Sequence, residues 1–151
     1  MRRRHLPLVL LAIVVVLAVS AILARVWSTA AAESAAITGL VQAEARGDQS
    51  AMLARIQGCE VTLPCRTRVA QDIAALTRPG RLAVLQLRAS TGFSLTGTVG
   101  TARVAWKVPS SLPIVQCVRV RRTGSALRGL RVQLLAVSLR IKSDADCPAH
   151  F

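Results

Sequence analysis

Tyrosine is missing from this chain, and its 151 residues hold only two Trp, two Phe and two His. With so few rings, any folded interior has to be filled by aliphatic side chains. The same shortage argues against a nucleic-acid platform, which needs aromatic faces for bases to stack on, and no nucleic-acid partner is expected. His5 and His150 stand near opposite ends of the sequence. Histidine therefore supplies neither a clustered metal site nor a central general base. Cys-x-x-Cys is absent, which removes the usual redox pair. Acids are scarce as well: seven Asp and Glu face twenty Lys and Arg, for a net charge of +13. Most of that charge is arginine, a bias that a GC-rich genome also produces through codon usage alone.

Uncharged aliphatic sequence, by contrast, is abundant. "LPLVLLAIVVVLAVSAILA", residues 6–24, contains nineteen positions without a charge. As an α-helix it would span roughly 28 Å, close to the ~30 Å hydrocarbon core of a bilayer. Pro7 falls in the first turn, where a helix tolerates proline. Arg2, Arg3 and Arg4 precede the run and Arg25 follows it. The positive-inside rule then places the N-terminus in the cytoplasm and the remainder outside the cell membrane. The expected organisation is a cytoplasmic basic tip (1–5), a transmembrane anchor (6–26) and an extracytoplasmic domain (27–151). A cleaved signal peptide is the rival, with "AAA" at 30–32 as the cleavage site and Glu33 opening a secreted form. The run exceeds the 7–15-residue apolar region of a signal peptide, and Arg25 and Trp27 intrude before the site. Trp27 suits an interfacial position, so the anchor is favoured.

Outside the cytoplasmic membrane disulfides persist, and an even number of cysteines in a small domain reads as a disulfide framework. The four are Cys59, Cys65, Cys117 and Cys147. Their spacings are too wide for the close ligand pairs of a zinc site, so no metal and no cofactor is expected. Of three possible connectivities, Cys59–Cys65 and Cys117–Cys147 is preferred. The first pair flanks a short Pro-containing link between helical patterns, and the second ties the C-terminal tail to a strand. Chain entropy assigns roughly 2.4 kcal/mol to the short loop and roughly 3.7 kcal/mol to the long one. Within "CEVTLPC" only Val61 and Leu63 can be buried, too little to offset the ordering of seven residues, so the loop is expected to have little core beneath it.

Ile37, Leu40, Val41 and Glu44 follow helical spacing up to Gly47. No breaker separates Leu8 from Ala36, so this helix can continue the membrane span. Asp48 is placed to cap a short helix carrying Met52, Leu53 and Ile56, and Pro64 opens a third with Val69, Ile73 and Leu76 on one face. Strand patterns follow at 81–88, 99–108, 113–122 and 130–142, and those around Trp106 and Val118 alternate with period two. The fold class is α+β: an N-terminal transmembrane helix, then three helices packed on a four-stranded, mostly antiparallel curved sheet.

This order, with "RVAWKV", "PIVQCVRVRR" and "DADCP" in the sheet region, resembles the nuclear-transport-factor-2-like cone over residues 30–147. The nearest likeness is to its small membrane-anchored versions in high-GC Gram-positive bacteria, including the Mce-associated proteins. The resemblance implies a curved sheet folded over the helices, often without known activity. Enzymes built on that cone place Asp, His or Tyr in the pocket. Here Asp72 is the one candidate base, edging inward beside Val69, Ile73 and Leu76. The competing reading is a solvent-facing Asp72 paired with Arg68 one turn earlier. Arg119, Arg121, Arg122, Arg128 and Arg131 gather on one hairpin as a candidate contact for anionic lipid headgroups or wall polymers. The alternative is a solvated strand end whose charges discourage edge pairing. The expectation is a non-enzymatic, single-pass envelope protein acting through a protein partner. The alternative is a cone-shaped pocket for a small hydrophobic ligand.

Overall fold

The computed structural model describes residues 6–90, 96–125, 129–142, 145–148, 150 and 151. Three helices, α1 (Leu6–Arg46), α2 (Gln49–Arg55) and α3 (Leu63–Leu76), precede strands β1 (Ala83–Arg88), β2 (Thr96–Lys107), β3 (Ile114–Ser125) and β4 (Gly129–Val137). The strands form an antiparallel meander in the order β1-β2-β3-β4. Irregularities between Val84 and Gln86, Thr96 and Thr98, and Arg119 and Val120 interrupt the ladders, and such bulges bend a sheet.

The expected anchor and first domain helix are one element, α1, of 41 residues. Its apolar N-terminal part is exposed almost throughout, from Pro7 to Arg25. Burial begins at Val26 and recurs at Thr29, Glu33, Ile37, Leu40, Val41 and Glu44, in the steps of three and four that keep one helical face inward. Length and composition suit the exposed part to crossing a membrane, as a single-pass anchor or a signal sequence. Gly39 is the point of close approach: a Cβ there would meet the Arg55 guanidinium of α2. α1 ends at Gly47 (φ 74°) in the left-handed region. There Asp48 N–H donates to the Ala43 carbonyl and Gly47 N–H to that of Glu44, the pairing of a Schellman turn. Asp48 then caps α2 by accepting from Ala51 N–H at 3.0 Å, which sends the chain back along α1.

The core lies between the helices and the inner sheet face. Ile37, Leu40, Val41, Met52, Ile56 and Val69 meet Ala102, Val104, Trp106, Ile114, Val118 and Val120 there. The alternation expected for β2 holds from Ala102 to Val108. β3 runs three residues further than expected, because Thr123, Gly124 and Ser125 pair with Arg131, Leu130 and Gly129. Beyond β4 the chain keeps to β3, with Ser138 N–H donating to the Cys117 carbonyl and Ile141 N–H to that of Val115.

The disulfides join Cys59 to Cys65 and Cys117 to Cys147. Val61 and Leu63 do not bury: they are 88% and 72% exposed, while Cys59 is 1% exposed. The loop turns on itself, with the Thr62 hydroxyl donating to the Gly58 carbonyl, and only its cysteine end reaches the core. With so little apolar burial to offset loop ordering, the covalent link carries more of the restraint. Replacing both Cys59 and Cys65 with Ser should lower stability by about 2 kcal/mol and leave the Cys117–Cys147 peptide intact. Denaturant titration and non-reducing peptide mapping check this, and a Cys59–Cys117 crosslink in the parent protein would contradict it.

Candidate functional site

Two polar constellations lie inside the domain, both assembled on the buried face of α1. The first joins α1, α3, β2 and β3. Trp106 Nε1 donates to Gln116 Oε1 at 2.8 Å. Gln116 Nε2 in turn donates to Glu44 Oε1 at 2.7 Å and to the Ser138 carbonyl at 3.3 Å. The amide is thereby oriented by its neighbours, accepting from the indole and donating to the carboxyl group. Asp72 sits nearby on α3 and is fully buried, with both carboxyl oxygens lacking a hydrogen-bond partner, as does Glu44 Oε2. The solvent-facing reading of Asp72 is therefore replaced by an interior one: the Val69, Ile73, Leu76 stripe carries it inward.

Burial pushes the Glu44 carboxyl up to about 8, and the neighbouring Asp72 charge adds to the rise while the Gln116 hydrogen bond opposes it. Burial likewise pushes Asp72 up to about 7 against the opposing charge of Arg68. Two buried acids side by side keep their protons to a higher pH than they would in water. Such a pair can store or relay a proton, but general acid–base work requires contact with a reacting group. Glu44, Asp72, Gln116 and Trp106 are all fully buried. The open clefts lie elsewhere. One, of about 510 Å³, is lined by Leu112, Pro113, Arg140, Ile141 and Lys142. Another, of about 260 Å³, lies between α3 and β4 beside Cys65, Arg68, Val137 and Phe151.

The second constellation corrects the expected basic cluster. Arg122 is 3% exposed and does not belong to the surface. Its guanidinium straddles Glu33, with Nη2 at 2.6 Å and Nε at 2.8 Å from Oε2, and Glu33 Oε1 accepts from Ser90 N–H at 2.7 Å. Three donors thus satisfy a fully buried carboxylate, as burial of charge requires. Strand parity accounts for the position, since Arg122 lies on the Val118 and Val120 face. Arg121 and Arg131 are exposed and Arg119 is half-buried. Arg128 lies outside the described residues.

Sequence reasoning placed Glu44 on the buried stripe without a role, and passed over Glu33, Gln116 and Arg122 as interior polar groups. The helical spacing from Glu33 to Ile37, and the period-two spacing from Gln116 to Arg122, were the available signals. No protein-family model, curated protein or solved structure matches the chain.

Proposed function

We propose that this is a non-enzymatic, single-pass membrane protein whose α+β domain works outside the cell membrane as an accessory, partner-binding module of the envelope. The observation that carries the reading is the continuity of α1 from its exposed apolar run into the core. Cleavage before Glu33 would remove Val26 and Thr29, which the folded domain buries, so the domain favours retention of its own leader. Both disulfides suit an oxidising compartment. The interior that an open cone would offer a ligand is occupied by Trp106, Gln116, Ile37 and Met52, which favours a packed module over a ligand binder. The order of an anchor, further helices and a four-stranded meander supports a nuclear-transport-factor-2-like assignment among membrane-anchored, Mce-associated-type proteins.

The test pairs two measurements. Protein extracted from native membranes should retain residues 26–32 by intact mass, and a mature form opening at Glu33 would refute the anchor. The E44Q/D72N variant should complement a deletion strain, because neither carboxyl serves a reaction. Loss of complementation at normal abundance would transfer the reading to acid–base chemistry.

A further inference from the structure

The direction of β3 relative to α1 fixes which end of the domain faces the bilayer. Glu44 meets Gln116 and Glu33 meets Arg122, so rising β3 numbers descend α1 toward its apolar run. The intervals agree: from Glu44 to Glu33 is roughly 16 Å of helix, and from Gln116 to Arg122 is roughly 20 Å of strand. β3 continues past Arg122 to Ser125, which pairs with Gly129 of β4 and Thr96 of β2. That extension carries the sheet roughly 10 Å further down. Ala24, the last residue of the uncharged run, lies roughly 14 Å below Glu33 along the helix. The Ser125–Gly129 end therefore stands about 4 Å beyond the hydrocarbon edge, inside a headgroup layer about 5–8 Å deep. Burial along α1 agrees independently, because Val26 and Thr29 are only 8% and 4% exposed. The folded domain already covers part of the helix just past Ala24.

Arg131 stands across from Thr123, about 7 Å above that end and within side-chain reach of the headgroup layer, whereas Arg121, opposite Gln133 and Val99, lies about 13 Å above it and outside that layer. Trp27 projects from α1 about 4–5 Å above Ala24, level with the Ser125–Gly129 end, and is 77% exposed. Glu33, the acid on α1 near this level, is already neutralised by Arg122. We infer that the membrane-facing end of the β3–β4 hairpin is a docking surface for anionic phospholipid headgroups, with Arg131 reaching down to lipid phosphates and Trp27 seated at the interface. The inference rests on the anchor reading and deepens it. A guanidinium fork matches phosphate oxygens bidentately. A basic residue near an anionic bilayer strengthens the attraction about fivefold. Tryptophan favours the headgroup level.

The test is hydrogen–deuterium exchange on the full chain in vesicles of phosphatidylcholine, with or without phosphatidylglycerol. Amides of Arg121–Ser125 and Gly129–Gln133 should exchange at least about fivefold more slowly when phosphatidylglycerol is present. The difference should disappear at raised salt and in the R131E variant, and largely persist in R131K. Should the charge-reversed variant misfold, the lipid and salt comparisons on the parent chain decide the matter. Amides between residues 8 and 22 report the anchor separately. Their protection in both vesicles, with equal exchange at the sheet end, would overturn the docking surface alone; their loss would overturn the anchor and the docking together. Slowing by soluble poly(glycerol phosphate) but not by phosphatidylglycerol would overturn the lipid assignment in favour of a wall polymer.

Discussion

Replacing Glu33 with Ala should destabilise the domain by about 3–5 kcal/mol, the cost of leaving a buried guanidinium without its counter-charge. The carboxylate takes both Arg122 contacts on Oε2 and the Ser90 amide on Oε1, so the substitution removes the acceptor of all three at once. A loss of that size is a large share of the roughly 5–15 kcal/mol that holds a typical domain together. Glu33→Gln should cost less, because a neutral amide still offers an acceptor. Replacing the pair together, Glu33→Leu with Arg122→Met, should recover most of the loss, since an apolar pair removes the desolvation penalty along with the attraction. Equilibrium unfolding of the detergent-solubilised chain measures all three variants. A loss below about 1 kcal/mol for Glu33→Ala would mean that water reaches Arg122 and that the pair is effectively exposed.

The second large effect is alkaline loss of stability through the Glu44 and Asp72 pair. Their pKa values are raised in the folded state, to about 8 and about 7. Below about pH 3 both carboxyls are protonated whether the chain is folded or not, and they contribute no pH dependence. As pH rises above that, the unfolded chain releases its protons while the folded chain keeps them, so stability falls. The fall is complete once pH passes the folded values, near pH 8, and amounts to roughly 4 kcal/mol or more. Glu44→Gln keeps an oxygen to accept from Gln116 and removes the titration. Its urea midpoint should match the parent near pH 4 and exceed it clearly by about pH 8. Parallel pH profiles for parent and variant would show that Glu44 does not govern the dependence.

The parts of this fold that depend on near neighbours in sequence were legible. The apolar run, the α1 stripe, the Asp48 cap and the β2 alternation each follow from a period or a local hydrogen bond, and the structure contains all of them. The polar interior was harder, because its partners are remote in sequence. Glu33 lies 89 residues before Arg122, and Glu44 lies 72 before Gln116. Taken alone, an arginine at the end of a basic hairpin belongs in solvent. Only the presence of a carboxylate on the opposing helix reverses that balance. Asp72 had the same difficulty: its stripe pointed inward, yet the second acid beside it was not visible as a neighbour.

The uninterrupted α1 also has a mechanical consequence. With no joint between the exposed apolar turns and the buried ones, a membrane holding α1 would set the azimuth of the domain as well as its height. A single residue inserted after Arg25 would swing the domain by about 100° about the helix axis and lift it by about 1.5 Å. Seven inserted residues would nearly restore the bearing while raising the domain by about 10 Å. Arg46 normally stands roughly 33 Å above Ala24, and that end of α1 is fixed to the chain just beyond α3 through the Arg78 amide and Ala45 carbonyl. On the proposed anchoring, a neighbour in the same bilayer would meet this protein at a set elevation and a set compass heading, with helical phase acting as the alignment key.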